Sequence, residues 1–210
     1  MKTIQLLILL HTFLMAQYHA TISPLSPQIK KQMLQGNSWK KGCPVALHEL
    51  RYLQLSYRNF QGKTVTGELI VHQAVAEEVT HIFKALYQIG YPIHRMQLVS
   101  RYKGSDWRSI EADNTSAFNC RKATGSKHWS KHSYGKAIDL NPIENPYVSR
   151  VGHISHQASQ PYRKRIHRKD TAKDKALLLK HDQAVQIFKK YGWRWGGEWS
   201  SVKDYQHFSK

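Results

Sequence analysis

Ser130–Asp139 reads SKHSYGKAID and places His132 and Asp139, two side chains able to bind a metal, on either side of Tyr134, Gly135 and Ala137. It runs on into the apolar turn Ile138, Leu140, Asn141, Pro142. A catalytic zinc takes three protein ligands from His, Asp, Glu or Cys and keeps one position open. This stretch offers two, with His132 ending a loop and Asp139 on a strand expected over Ala137–Leu140. The third must come from elsewhere. His207 in DYQHF is the candidate, because Asp204 stands three residues before it. A carboxylate at that spacing can take a proton from an attacking water and pass it to a leaving amine, so Asp204 is expected as the general base.

These residues resemble the zinc D-alanyl-D-alanine carboxypeptidase family, which includes VanY-type carboxypeptidases, vancomycin-resistance dipeptidases and phage L-alanyl-D-glutamate endolysins. Ser130, His132, Gly135, Ala137 and Asp139 fill every fixed position of its SxHxxGxAxD signature. DYQHF is similar to its second motif, and the resemblance spans Ser130 to Phe208. GWRWGGEW and DLNPIENPY also look like the VanY-type subgroup. The resemblance implies one zinc per chain held by His132, Asp139 and His207, with Asp204 as acid and base. Asp rather than Glu at that position looks closer to the endolysin-like branch. It also implies an upstream arginine that steadies the substrate carbonyl; Arg121 in AFNCR looks like that residue, with Arg101 and Arg108 as rivals. The implied activity is a zinc-dependent metallopeptidase that hydrolyses peptide bonds involving D-amino acids in peptidoglycan stems or crosslinks. Whether it works as a carboxypeptidase or an endopeptidase, and on a D,D or an L,D bond, stays open.

The rest of the chain says where such an enzyme would work. Lys2 followed by an apolar run over Ile4–Ala16 fits a secretory signal peptide over residues 1–20, with cleavage after Ala20. The run falls short of the roughly 20 residues of a membrane span, and no later segment offers one. Residues 21–42, with Pro24, Pro27 and Gly36, are expected as a loosely packed N-terminal arm, and 43–210 as the catalytic domain. The 210 residues suit one domain rather than two, and 40% hydrophobic with 11% aromatic residues excludes a disordered chain. The net charge of +18 becomes +17 without Lys2, which draws the protein to anionic polymers. With an export signal, cell-wall polymers in the periplasm or outside the cell are the expected partners, and nucleic acid is not. Cys43 and Cys120 form an even pair in an oxidising compartment, where a disulfide between them is favoured.

Short strands interleaved with helices predict an α+β domain, in which a small antiparallel sheet carries the zinc site and helices pack on one side. The resemblance implies the same DD-peptidase/hedgehog-like fold. Strands are expected at Leu69–Val71 and Met96–Tyr102, and helices at Val75–Leu86, stopped by Gly90, and at Ala176–Tyr191. Gly104–Gly125 reads as a long functional loop. The basic tract over residues 163–175 reads as a solvated surface. His128 with His132, and His153 with His156, form further metal-like pairs that thirteen histidines produce by chance. Glu198 is a rival base, and Trp193, Trp195 and Trp199 read as core or cleft. Ser130 and Ser133 lack a GxSxG elbow, which argues against a serine hydrolase. The alternative from another class is a basic, non-catalytic protein that binds wall polymer or nucleic acid and keeps zinc as a structural element.

Overall fold

The computed structural model describes residues 17–168 and 170–210. Most of the expected signal peptide, residues 1–16, lies outside the described residues.

The chain enters through strand β1 (Ala20–Pro24) and helix α1 (Pro27–Gln35). Ser26 caps α1 by accepting the Ile29 N–H, with Pro27 placed where its missing N–H costs nothing. Strands β2 (Leu50–Arg58) and β3 (Thr64–His72) then form a hairpin, with Arg58 opposite Thr64. Asn59 Oδ1 accepts the N–H groups of Gln61 and Lys63 to close its turn. β1 pairs antiparallel along the other edge of β2, giving the order β1-β2-β3. Side chains alternate across this sheet. Leu53, Leu55, Leu69 and Val71 face one core, whereas Leu50 and Ile70 face a second, together with Met33 of α1, Phe118 and Cys120. Helix α2 (Ala76–Gln88) lays Val79, Ile82, Phe83 and Leu86 into the first core, and the backbone leaves through Gly90 at φ +69°.

Strand β4 (Arg95–Met96), helix α3 (Asp106–Glu111) and strand β5 (Asn114–Thr115) follow, with β4 and β5 parallel. Next come β6 (Ala137–Asp139), β7 (Tyr147–Val148), the short helix α4 (Ala172–Lys175) and α5 (Gln183–Lys190). Strands β8 (Arg194–Trp195), β9 (Lys203–Asp204) and β10 (His207–Ser209) close the chain. β6, β10 and β8 make a second three-stranded antiparallel sheet in the order β6-β10-β8. Its inner face carries Ile138 and Phe208; Phe208 stacks on Phe188 of α5 with ring centroids 3.9 Å apart. Residues of both sheets share one apolar core.

The fold is mixed α+β, and several local expectations change. The arm does not pack loosely. β1 is hydrogen-bonded to β2, the Tyr18 hydroxyl donates to Thr80 O at 3.0 Å, and Met33 is fully buried. A boundary after Ala20 therefore falls at the first residue of β1, beyond contacts the fold uses. The strand around Leu69–Val71 is nine residues long. The strand expected to reach Tyr102 stops at Met96, because the Asn114 side chain takes both the N–H and the C=O of Gln97; a 3₁₀ turn follows over Val99–Tyr102. The loop Gly104–Gly125 contains α3 and β5. The last helix begins at Gln183, not Ala176, since Asp182 Oδ2 accepts the Leu179 N–H and turns the chain there. Within the basic tract Arg165 is not a solvated surface side chain. It donates to Glu144 O, Asn145 Oδ1 and Leu178 O and lies over the Tyr205 ring.

Candidate functional site

Each fixed position of SKHSYGKAID has a structural task. Ser130 Oγ accepts the His132 N–H at 3.3 Å and caps the 3₁₀ turn Lys131–Tyr134. Gly135 leaves that turn at φ +64°, and a Cβ there would stand 2.5 Å from His72 N, so only glycine fits between the turn and β3. Ala137 and Ile138 are fully buried. The pleat then turns Asp139 to the opposite face from Ile138, and His207 to the opposite face from Phe208. Asp139 and His207 are direct partners in the β6–β10 register.

The consequence is a buried group of three. His132, Asp139 and His207 each offer one ligand atom, and these atoms all lie within 4.8 Å of one another. His132 Nε2 stands 3.1 Å from Asp139 Oδ2 and 3.2 Å from His207 Nδ1, and His207 Nδ1 is 3.0 Å from Asp139 Oδ1. The other nitrogen of His132, Nδ1, meets Ala117 O at 2.5 Å. A carbonyl can only accept, so Nδ1 carries the proton and Nε2 presents its lone pair to the group. Burial works against ionising Asp139, but His132 and then His207 outweigh it and hold the carboxyl well below the usual range. Burial likewise opposes charging His207, yet its hydrogen bond to Asp139 carries its pKa upward. Two imidazoles and a carboxylate converging in this way fit a zinc ion.

Asp204 reaches the same place from β9, which pairs with β7 at Tyr147. Gly196 makes room for it, because a Cβ there would stand 2.5 Å from Asp204 O. Burial pushes the Asp204 carboxyl up to about 6; His207 pulls it down, and the negative Asp139 pushes it up again. Asp139 and Asp204 both open onto a cleft of about 300 Å³ that Arg121 also lines. Arg121 Nη2 is paired with Asp106 Oδ2 at 2.9 Å. The residue follows Cys120, which is joined to Cys43 by a disulfide with Cα atoms 5.9 Å apart, and the Cys120 N–H donates to Ser38 O. The segment that brings Arg121 to the cleft is thus tied to the N-terminal part of the chain. A larger cavity of about 610 Å³ lies beside Tyr91 and His167 and contains none of these residues.

The other candidates go elsewhere. Arg101 is paired with Glu68 and Glu198 with Lys189. Ser133 Oγ donates to Arg121 O and has a structural use. His128, His153 and His156 are outside the metal-like group. Trp193 and Trp195 are buried, whereas Trp199 is partly exposed, with its ring centroid 5.3 Å from that of His207. Sequence reasoning missed Gln206, whose Nε2 donates to Asp204 Oδ1 at 3.2 Å, and the stacked pair Trp107 and His156 on the cleft wall. Gln206 stands between Asp204 and His207 in sequence, and no spacing rule marks it.

A mixed α+β protein with a buried His, Asp, His group and a carboxylate in the adjoining cleft has the parts of a metal-dependent hydrolase. Residues 124–210 match a family model described as D-alanyl-D-alanine carboxypeptidase. The resemblance read from the two motifs therefore holds over the segment that contains His132, Asp139, Asp204 and His207, and it supports a peptidase. No curated protein and no solved structure matches the chain.

Proposed function

We propose that the protein is an exported zinc metallopeptidase that hydrolyses peptide bonds involving D-amino acids in peptidoglycan. The observation that carries this reading is the convergence of His132, Asp139 and His207 within 4.8 Å, beside a cleft shared with Asp204. A zinc held by the three would supply Lewis acidity to the reaction. The chain's own residues then divide the work. Asp204, with a carboxyl held near 6, is ionised at neutral pH and accepts a proton from the attacking water. The same carboxyl returns that proton to the amine as it leaves. Arg121 offers N–H groups where negative charge develops on the carbonyl oxygen, and Asp106 keeps its guanidinium in place. Ala117 O and Ser130 hold His132 in the required tautomer and orientation. The net charge of +18 supports attraction to an anionic wall.

Incubating the zinc-loaded protein with purified peptidoglycan and weighing the released fragments tests this. Release of D-alanine or of a cut stem peptide is the expected result, and it also separates exopeptidase from endopeptidase cleavage. Intact peptidoglycan in the presence of stoichiometric zinc rejects the reading in favour of a binding protein.

A further inference from the structure

Buried polar side-chain atoms in native folds are nearly always hydrogen-bonded, and each one left over needs an explanation. Among the described residues seven such atoms have no protein partner, and three belong to side chains that line the cleft beside the metal-like group: Arg121, Ser159 and Gln206. A cleft shaped for a polar ligand concentrates spare donors and acceptors in this way.

Gln206 is the most constrained of the three. It is 3% exposed, and its Nε2 donates to Asp204 Oδ1. An ionised carboxylate offers acceptors alone, so the amide nitrogen must face Asp204. Oε1 is then the atom left over, a buried acceptor. Arg121 provides the complement. Its Nη2 is taken by Asp106 and its Nη1 by Lys122 O, which leaves Nε as a buried donor. Both residues line the same cleft, and their one spare acceptor and one spare donor match the N–H and C=O of a peptide. The remaining wall suits small apolar side chains. Ile110, Pro142 and Ile154 line it, and Trp107 stacks on His156 with ring centroids 3.9 Å apart. At about 300 Å³ the cleft is at the small end of ligand pockets.

We propose that Gln206 is a substrate-binding residue: anchored on Asp204 through Nε2, it accepts a backbone N–H of the bound peptide through Oε1. The inference rests on the peptidase reading above and names a contact that selects the substrate. It gives the site a preference for peptides that keep this N–H, because a site built to hydrogen-bond a group rejects the analogue lacking it.

The test uses the full chain with zinc bound and Asp204 intact, since that carboxylate sets the Gln206 amide, and every ligand carries a reduced CH2–NH link at its scissile bond so that it is not consumed. The probes are diacetyl-L-lysyl-D-alanyl-D-alanine with that link and analogues in which each remaining backbone amide N–H is replaced in turn by an ester oxygen, with binding followed by calorimetry. One analogue should bind on the order of tenfold more weakly than the parent. Adding Gln206→Ala should weaken the parent by a similar factor and abolish the distinction between parent and that analogue. Gln206→Met, close to glutamine in shape, should behave alike and replaces the alanine variant if that one loses zinc. A variant that keeps the full discrimination overturns the proposal, as does a parent that binds equally well with or without Gln206. Hydrolysis of the unreduced parent peptide is scored separately. Catalysis with unchanged discrimination in the variants removes Gln206 and leaves the peptidase reading. The expected binding pattern without hydrolysis does the reverse, and neither binding nor hydrolysis rejects both.

Discussion

Asp139 and His207 sit directly opposite each other across the β6–β10 ladder, with Asp139 Oδ1 3.0 Å from His207 Nδ1. The pairing joins positions 68 residues apart in sequence, and it puts a carboxylate and an imidazole on one face while Ile138 and Phe208 fill the core behind. The register thus fixes the mutual geometry of two of the three groups that could hold a metal ion, and a site held in place by its scaffold is the condition for specific binding.

His132→Ala and His207→Ala should therefore each lose the metal without unfolding the chain, because the apolar side of the sheet is untouched. Zinc measured after dialysis should drop from about one per chain to near zero. Equal zinc content in a variant and in the unaltered protein would remove that histidine from the ligand set.

Asp204→Ala separates binding from chemistry. Zinc content should persist, since three ligands remain, and peptide hydrolysis should fall by about 10²–10⁴-fold. The base works only when ionised, so activity is lost as pH falls through the carboxyl's pKa. Burial holds that value near 6, and a cation held by the neighbouring His and Asp residues would pull it down. The acid limb of kcat/KM should thus lie at or below pH 6 in the unaltered protein and vanish in the residual activity of the variant. A limb that persists in the variant would assign it to another group.

Glu144 gives a pH dependence of stability rather than of rate. It is 1% exposed, and burial, followed by the nearby Asp113 carboxylate, pushes it from the usual 4.5 up to about 9. Tyr162 donates to its Oε1 at 3.3 Å. The folded state keeps the proton where the unfolded chain gives it up. Stability from this group is whole below pH 4.5 and declines as pH rises towards 9, by up to about 1.4 kcal/mol per pH unit. Glu144→Gln, neutral at every pH, should flatten that decline. Urea midpoints at pH 5 and pH 9 that differ equally in both proteins would refute it.

How legible each part was follows from the range of the interactions. The site residues stand in two short motifs whose spacing mirrors a local task, such as Ser130 capping the turn of His132 or Gly135 passing beside β3. Their meeting depends on the β6–β10 register, which no local pattern states. β2 escaped notice because the sheet buries apolar residues on both faces, Leu53 and Leu55 on one and Leu50 on the other, which erases the alternation of a half-exposed strand. Leu177 and Leu178 imitated a helix while being buried in an irregular segment, where Asn145 Oδ1 accepts the Leu178 N–H. Gln206 had no spacing rule to announce it, since its value lies in which of its two amide atoms faces Asp204.

The chain's beginning provides the last test. Tyr18 donates to Thr80 O at the start of α2, its ring lies 5.6 Å from that of Tyr87, and His19 exchanges hydrogen bonds with Ser56. Removing residues through Ala20 would strip these contacts from the edge of β2 and the flank of α2. If an exported form is produced by cleavage, the fold is served by a cut before Tyr18, and Ala16 is the small residue that ends the apolar run. A protein starting at Gln17 should be more stable to urea than one starting at Thr21 by about 1–3 kcal/mol, the cost of two to three lost hydrogen bonds and a buried ring edge. The mass of the exported protein should show Gln17 at its N-terminus. Equal stability of the two forms, together with a mature chain beginning at Thr21, would return the boundary to Ala20 and make the Tyr18 contacts incidental.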